Sequence, residues 1–198
     1  MRNRRELLAQ EIIHCVEENQ GRSVTRVTSL ACGPAAEIFD TFSQLDDPSL
    51  LAPTLLDIDF QALAFVNDKV KRENLHRNIR LLNSNLVYLA TGRQTLDLEP
   101  QDLIYSIGLI DYFNDKFVIR LLNYIHSLLK PGGKVILGNF HPNNTSKAFM
   151  DHVLDWRLVH RTKEDMNRIL SDSAFGRPCT NIRFESQGIN LFAECIKE

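Results

Sequence analysis

A small-residue turn and the acid that follows it are the parts of this chain best suited to chemistry. Residues 27 to 37 read Val-Thr-Ser-Leu-Ala-Cys-Gly-Pro-Ala-Ala-Glu. They describe a short apolar strand, a turn at Gly33 and a helix that opens at Pro34. Glycine admits a positive φ and lets a ligand approach where a Cβ would clash. A strand feeding a helix through such a turn leaves bare N–H groups at the mouth of a parallel sheet, where an anionic or nucleoside-bearing ligand docks. Asp57 comes 24 residues after Gly33, at the end of a second apolar strand. A carboxylate there accepts hydrogen bonds from the vicinal hydroxyls of a ribose. Each feature also has a plain structural reading: a tight turn without a ligand, and an acid that offsets a helix dipole. Asp59 suits the dipole role better, which leaves Asp57 for the ribose.

The elements that must position these residues follow from hydrophobic spacing. Leu7, Leu8, Glu11, Ile12, Cys15 and Val16 predict an amphipathic helix over Arg4 to Glu18, ended by Gly21. Val27 to Ala31 is the first strand. Pro34 suits the first position of the next helix, whose buried stripe is Ile38, Phe39, Phe42 and Leu45. Asp46-Asp47-Pro48 breaks it. Thr54 to Ile58 is the second strand, and a helix follows with Ala62, Phe65, Val66 and Val70 on its inner side. Asn85 to Ala90 is expected as the third strand and Asp102 to Ile107 as the fourth. A long helix runs from about Lys116 to Leu129. Pro131-Gly132-Gly133 makes a turn into a fifth strand, Lys134 to Phe140. Thr162 to Asp165 resembles a capping box opening a helix through Leu170. Asn181 to Glu185 and Ile189 to Ile196 close the chain as a hairpin across Gln187-Gly188. Apolar strands alternating with helices argue for a mostly parallel sheet with helices on both faces.

Length and composition set the remaining bounds. A chain of 198 residues, 43% apolar and 24% charged, suits one domain, 1–198, with residues 1–22 as an N-terminal helix and 23–198 as the core. Net charge is -2, and Arg2, Arg4 and Arg5 read as a solvated helix start, so no nucleic-acid face is signalled. Cys15, Cys32, Cys179 and Cys195 form no C-x-x-C pair, which leaves no metal or redox motif. They read as buried thiols in a reducing, cytoplasmic setting. No apolar stretch approaches the ~20 residues that span a bilayer, and no signal peptide opens the chain, so no stable membrane association is expected. Oligomeric state is not legible.

Two cofactor classes use a small-residue turn with a spaced acid. A dinucleotide site wants G-x-G-x-x-G, of which Ala31, Gly33 and Ala36 are a poor version. S-adenosyl-L-methionine has no pyrophosphate and asks less of the turn. The closing hairpin, the Pro-Gly-Gly turn and the lack of a second domain favour the latter. From Val27 to Ile196 the sequence resembles the class I S-adenosylmethionine-dependent methyltransferases. Leu30 to Ala35 is similar to their glycine-rich first motif, Leu56-Asp57-Ile58-Asp59 to the acidic second, Asp102 to Ser106 to the fourth strand, and Leu129 to Lys134 to the turn before the fifth. Ser29 stands where the family often has an acid, and Ala31 and Ala35 where it often has glycines. Tyr105 to Tyr112 and Leu154 to Arg161 further resemble a bacterial subgroup that forms methyl esters of 3-hydroxy fatty acids.

The resemblance implies a Rossmann-like, seven-stranded, mostly parallel sheet with a C-terminal antiparallel hairpin. It implies that Asp57 binds the ribose and that Ala31, Cys32 and Gly33 flank the methionine half. Ile58 packs on the adenine, Thr91 and Gly92 lie near its edge, and Ser106 and Gly108 line the sulfonium side. The acceptor is a small molecule. Asp111, Tyr112, Asn139, His141 and Asn143 are the polar groups nearest the expected mouth. His141 is the candidate base, since its ordinary pKa lies near neutrality, with a plain loop histidine beside Pro142 as the other reading. Arg157 and His160 either anchor a substrate carboxylate or pair with Asp155 and Glu164 on a helix surface. Trp156 reads as core or lid packing. A nicotinamide-dependent oxidoreductase and a non-catalytic binding module are the competing functions.

Overall fold

The computed structural model describes residues 2–19 and 23–198. The expected stop at Gly21 lies outside the described residues. One seven-stranded sheet organises the chain. Its strands are β1 (Thr25–Leu30), β2 (Leu51–Asp57), β3 (Arg80–Asn83), β4 (Gln101–Ile107), β5 (Leu129–Phe140), β6 (Asn181–Phe184) and β7 (Asn190–Ile196). They lie in the order β3-β2-β1-β4-β5-β7-β6. β1 to β5 pair in parallel, while β7 runs antiparallel to both β5 and β6. The chain winds outward from β1 to β3, then crosses to the other side for β4 and β5. β1 and β4 therefore flank the switch point, where open α/β sheets bind ligands beyond their strand ends.

The helices are α1 (Arg2–Asn19), α2 (Ala36–Phe42), α3 (Phe60–Arg72), α4 (Leu86–Ala90), α5 (Asp115–Leu128), α6 (Lys147–His152) and α7 (Lys163–Ser171). α1 to α3 cover one face, packing Ile12, Ile38 and Val66 on Val27, Leu55 and Leu103. α4, α5 and α7 cover the other, against Leu30, Leu56, Ile104 and Leu137. In α5, Val118, Leu121, Leu122 and Ile125 are each 0% exposed. That is one helical stripe, and each such side chain contributes about 1.5–3 kcal/mol by burial. Caps set the helix starts. Asp59 accepts from the Gln61 N–H at 2.8 Å, as expected for the dipole acid. Thr162 and Asp165 form the expected capping box. No helix among the described residues is long and apolar enough to cross a membrane.

Four expectations are corrected. Asn85 to Ala90 is not a strand. Asn85 accepts from the Val87 N–H at 2.8 Å and starts α4, with Leu86 and Leu89 inward. A short apolar run does not reveal its own period, and the third strand is instead Arg80–Asn83, a four-residue edge strand. Pro34 is not the first residue of α2. Ala35, in left-handed conformation, is the N-cap and the helix starts at Ala36. In α3 the inward residues are Leu63, Val66 and Val70, whereas Phe65 is exposed. Pro131-Gly132-Gly133 lies within β5 as a bulge, where the register with β4 jumps from Gln101↔Leu129 to Leu103↔Lys134. A Cβ on Gly133 would lie 2.7 Å from the Gln101 carbonyl oxygen, so only glycine passes there.

Candidate functional site

The turn after β1 is tied to β2 from both ends. The Cys32 N–H donates to the Leu56 carbonyl at 3.0 Å. The Gly33 N–H donates to Asp57 Oδ2 at 2.8 Å, and the Asp59 N–H donates to Asp57 Oδ1 at 2.9 Å. One carboxylate thus joins the glycine turn to the start of α3 and still has lone pairs to offer. Asn83 donates to the carbonyls of Asp57 and Ile58 at 3.1 and 2.9 Å. Ile58 projects beyond this bond as an exposed apolar side chain. Ser106, by contrast, is a bolt between strands: its hydroxyl donates to the Leu30 carbonyl at 2.8 Å and is buried.

Three alternate residues of the turn have left-handed backbones: Ala31 (φ 54), Gly33 (φ 51) and Ala35 (φ 46). For an L-residue that conformation costs roughly 1–2 kcal/mol. Glycine removes the cost but loses about 0.5–1 kcal/mol more chain entropy on folding. Ala31→Gly should therefore raise stability by about 0.5–1 kcal/mol in urea titration. Ala35→Gly should come out near neutral, because Ala35 is 1% exposed and also forfeits about 0.8 kcal/mol of methyl burial. A clear loss of stability in Ala31→Gly would show that its methyl carries a packing role the backbone does not reveal.

Two cavities open at the C-terminal ends of β1 and β4. The first, about 250 Å³, lies over the turn and is lined by Ala31, Cys32, Ala35, Glu37 and Tyr105, with Arg4, Arg5 and Leu8 of α1 closing it. The Tyr105 hydroxyl donates to Glu37 Oε1 at 2.7 Å. Burial pushes the Glu37 carboxyl above its ordinary range, only partly opposed by its hydrogen bonds. Arg5 does not relieve it by contact, since Arg5 pairs with Asp40. Cys32 is no nucleophile: burial first, and then the Asp57 and Glu37 charges, push its thiol up to about 12.

The second cavity, about 210 Å³, is lined by Gly108, Asp111, Tyr112, Phe140, Trp156 and Leu158, again with Arg4, and with Ile107. Asp111 Oδ1 accepts from the Phe140 N–H at 2.7 Å, and the Asp111 carbonyl accepts from the Val159 N–H at 2.8 Å. Burial pushes its carboxyl upward. The Trp156 indole donates to the Tyr112 hydroxyl at 3.0 Å, and both side chains are well exposed.

Other expected residues stand elsewhere. His141 lines neither cavity. It packs edge-on to Phe184, with ring centroids 5.1 Å apart, and its Nδ1 accepts from the Asn143 N–H at 3.2 Å. Thr91 and Gly92 end α4, a whole element beyond β3, and the Thr91 hydroxyl donates back to Val87. Arg157 pairs with Asp155 at 3.3 Å on the open surface. His160 contacts Asn144 and the Leu158 carbonyl, not Glu164.

The residue that sequence reasoning missed is Arg161, 1% exposed. All five of its N–H donors are used: on Asp115 twice, on Asn139, and on the carbonyls of Ile110 and Phe113. It locks the β4–α5 loop, and so Asp111, to the end of β5. Its one sequence signal was its place directly before the Thr162 cap. No group of three or more His, Cys, Asp or Glu side chains among the described residues is placed to hold a metal ion.

No protein-family model matches the sequence, and no curated protein does. Solved structures match its fold. A magnesium protoporphyrin IX methyltransferase from Synechocystis PCC 6803, with bound SAH, is 12% identical at a TM-score of 0.71, over 99% of this chain and 84% of that one. A mitomycin 7-O-methyltransferase is 15% identical at 0.71, over 97% of this chain and 54% of that one. This chain has the methyltransferase fold. A third structure of similar fold, a possible exported protein from Bordetella parapertussis, is 20% identical at a TM-score of 0.68, over 95% of this chain and 67% of that one. At these identities the likeness is one of architecture: the seven-stranded sheet and its terminal hairpin. This chain spans 54% of the mitomycin 7-O-methyltransferase, which is nearly twice its length.

Proposed function

We propose that the protein is an S-adenosylmethionine-dependent methyltransferase acting on a small-molecule acceptor. The observation that best supports this is the bond from the Gly33 N–H to Asp57, a carboxylate held against a small-residue turn at the sheet's switch point and suited to a ribose. The other residues fit the ligand. Apart from its chain neighbours, nothing lies within 4 Å of the position a Gly33 Cβ would take, so the turn is open to a close approach. Glu37 is a carboxylate facing the first cavity without an ion pair among the described residues, suited to the α-ammonium of the methionine half. Asp57 would hold the ribose and Ile58 would pack on the adenine. The bound group supplies an electrophilic methyl on a sulfonium. The chain's part is to align the acceptor and exclude water. A carboxylate acceptor carries no proton at neutral pH and needs no base, so His141 has no task in this arrangement. The subgroup resemblance in Tyr105 to Tyr112 and Leu154 to Arg161 favours methyl-ester formation on a 3-hydroxy fatty acid, and the apolar lining of the second cavity is compatible with it.

Calorimetric titration with S-adenosylhomocysteine tests the reading. Saturable binding is expected. Affinity should fall as pH drops through the raised Glu37 pKa, because the protonated acid no longer attracts an ammonium. Glu37→Gln should flatten that pH dependence. Absence of binding at any pH, or binding of a nicotinamide dinucleotide in its place, would reject the reading.

A further inference from the structure

The two cavities share a wall, and Arg4 is the charged side chain common to both linings. It stands on the first turn of α1. Its Nη1 lies 3.9 Å from where a Cβ on Gly108 would be, so the guanidinium reaches the end of β4. Its neighbour Arg5 is held by Asp40. Arg4 makes no ion pair among the described residues and is only half-exposed. Asp111 shares the second cavity, yet its carboxylate accepts from the Phe140 N–H, and the guanidinium that draws on it is that of Arg161. The rest of that cavity is Phe140, Leu158 and the Tyr112–Trp156 pair. A half-buried guanidinium facing an apolar, aromatic cavity is complementary to an anion on an apolar body.

We propose that Arg4 determines acceptor specificity by holding an anionic, carboxylate-type group at the wall between the cavities, with the acceptor's apolar body against Phe140, Trp156 and Leu158. This rests on the reading of the first cavity as the methyl donor's site. It adds the residue that selects the acceptor by its charge.

Trp156 is the single tryptophan of the chain and lines the acceptor cavity, so its emission reports occupancy. The full chain, with no nucleoside present, is titrated with cyclohexanecarboxylate, cyclohexylmethanol and cyclohexylmethylamine, three probes of one shape. The carboxylate should bind at least tenfold more tightly than the alcohol, and the amine should bind least. Arg4→Gln should abolish the preference, the carboxylate then binding no more tightly than the alcohol. Arg4→Lys should restore part of it. No saturable response to the carboxylate, a preference for the amine, or an undiminished preference in Arg4→Gln would each overturn the proposal. Because no nucleoside is present, these outcomes are separate from the S-adenosylhomocysteine titration, which tests the donor site.

Discussion

Arg161→Ala should cost about 3–5 kcal/mol, since the Ile110 and Phe113 carbonyls and the Asn139 amide oxygen are left without a donor at about 1–3 kcal/mol each. With total stabilities of roughly 5–15 kcal/mol for a domain, that leaves the variant marginal or unfolded. The reason is that Arg161 satisfies two carbonyls, one amide and one carboxylate at once. Removing it strands Ile110 and Phe113, whose carbonyls shape the loop carrying Asp111 and Tyr112. Urea titration, followed by Trp156 emission and by circular dichroism, should show the midpoint fall in both signals. Arg161→Lys should recover little, since an ammonium lacks the planar fork that reaches four acceptors. Acid sensitivity gives a second signature. Burial alone would raise the Asp115 carboxyl, but hydrogen bonds from Arg168 and Arg161 outweigh it and hold the group below its usual range. A depressed carboxylate stabilises the fold above its unfolded pKa and loses that contribution as pH falls through the folded value. The parent should therefore lose stability on acidification more steeply than the Arg161→Lys variant. A loss under about 1 kcal/mol in Arg161→Ala, within the range of an ordinary single hydrogen bond, would mean that the cluster is replaceable by water.

Asp57→Ala should be the most damaging change for ligand binding. Charge-assisted hydrogen bonds contribute about 1.5–3 kcal/mol each, so losing the proposed ribose contacts alone should weaken S-adenosylhomocysteine binding by at least about tenfold, or 1.4 kcal/mol. The same substitution frees the Gly33 and Asp59 N–H groups, so the turn loosens and affinity falls further. Asp57→Asn separates the two effects. Its amide oxygen still accepts one of those N–H bonds, so stability should be largely kept while affinity drops. Calorimetry on the folded variants, paired with urea midpoints, reads both. Asp57→Asn binding as tightly as the parent would remove Asp57 from the ligand site.

What was legible in the sequence was whatever depends on neighbours along the chain. Strand–helix alternation, the Thr162–Asp165 box, the Gln187-Gly188 hairpin and the Gly33 turn all carry their signal within a few residues. The spacing of Asp57 from Gly33 was legible too, because each ends its own strand and the strands are adjacent. β3 was misplaced because Val87 and Tyr88 favour strands locally, whereas the Asn85 cap and the inward Leu86 and Leu89 decide for a helix. Misplacing β3 carried Thr91 and Gly92 one element too far, and it hid Asn83, which holds the loop after Asp57. His141 was near Asp111 in expectation because both follow strand ends. The antiparallel β7 draws the chain after β5 away, as the His141 N–H bond to Ile189 shows. Arg161 was illegible for a different reason: its four partners come from positions 22 to 51 residues away, as with Asn139 and Ile110, and no local pattern announces them.

The first turn of α1 has a kinetic consequence. Arg4 borders both cavities, while Leu8, Ile12 and Val16 farther along keep the helix anchored in the core. Ligand exchange at either cavity would then require the Arg4 side chain to swing aside, a rotamer change of picoseconds to nanoseconds. Whatever lengthens the residence of a molecule in one cavity, by pinning Arg4, also slows departure from the other. Off-rates at the two sites should rise and fall together, without any change in the sheet beneath them.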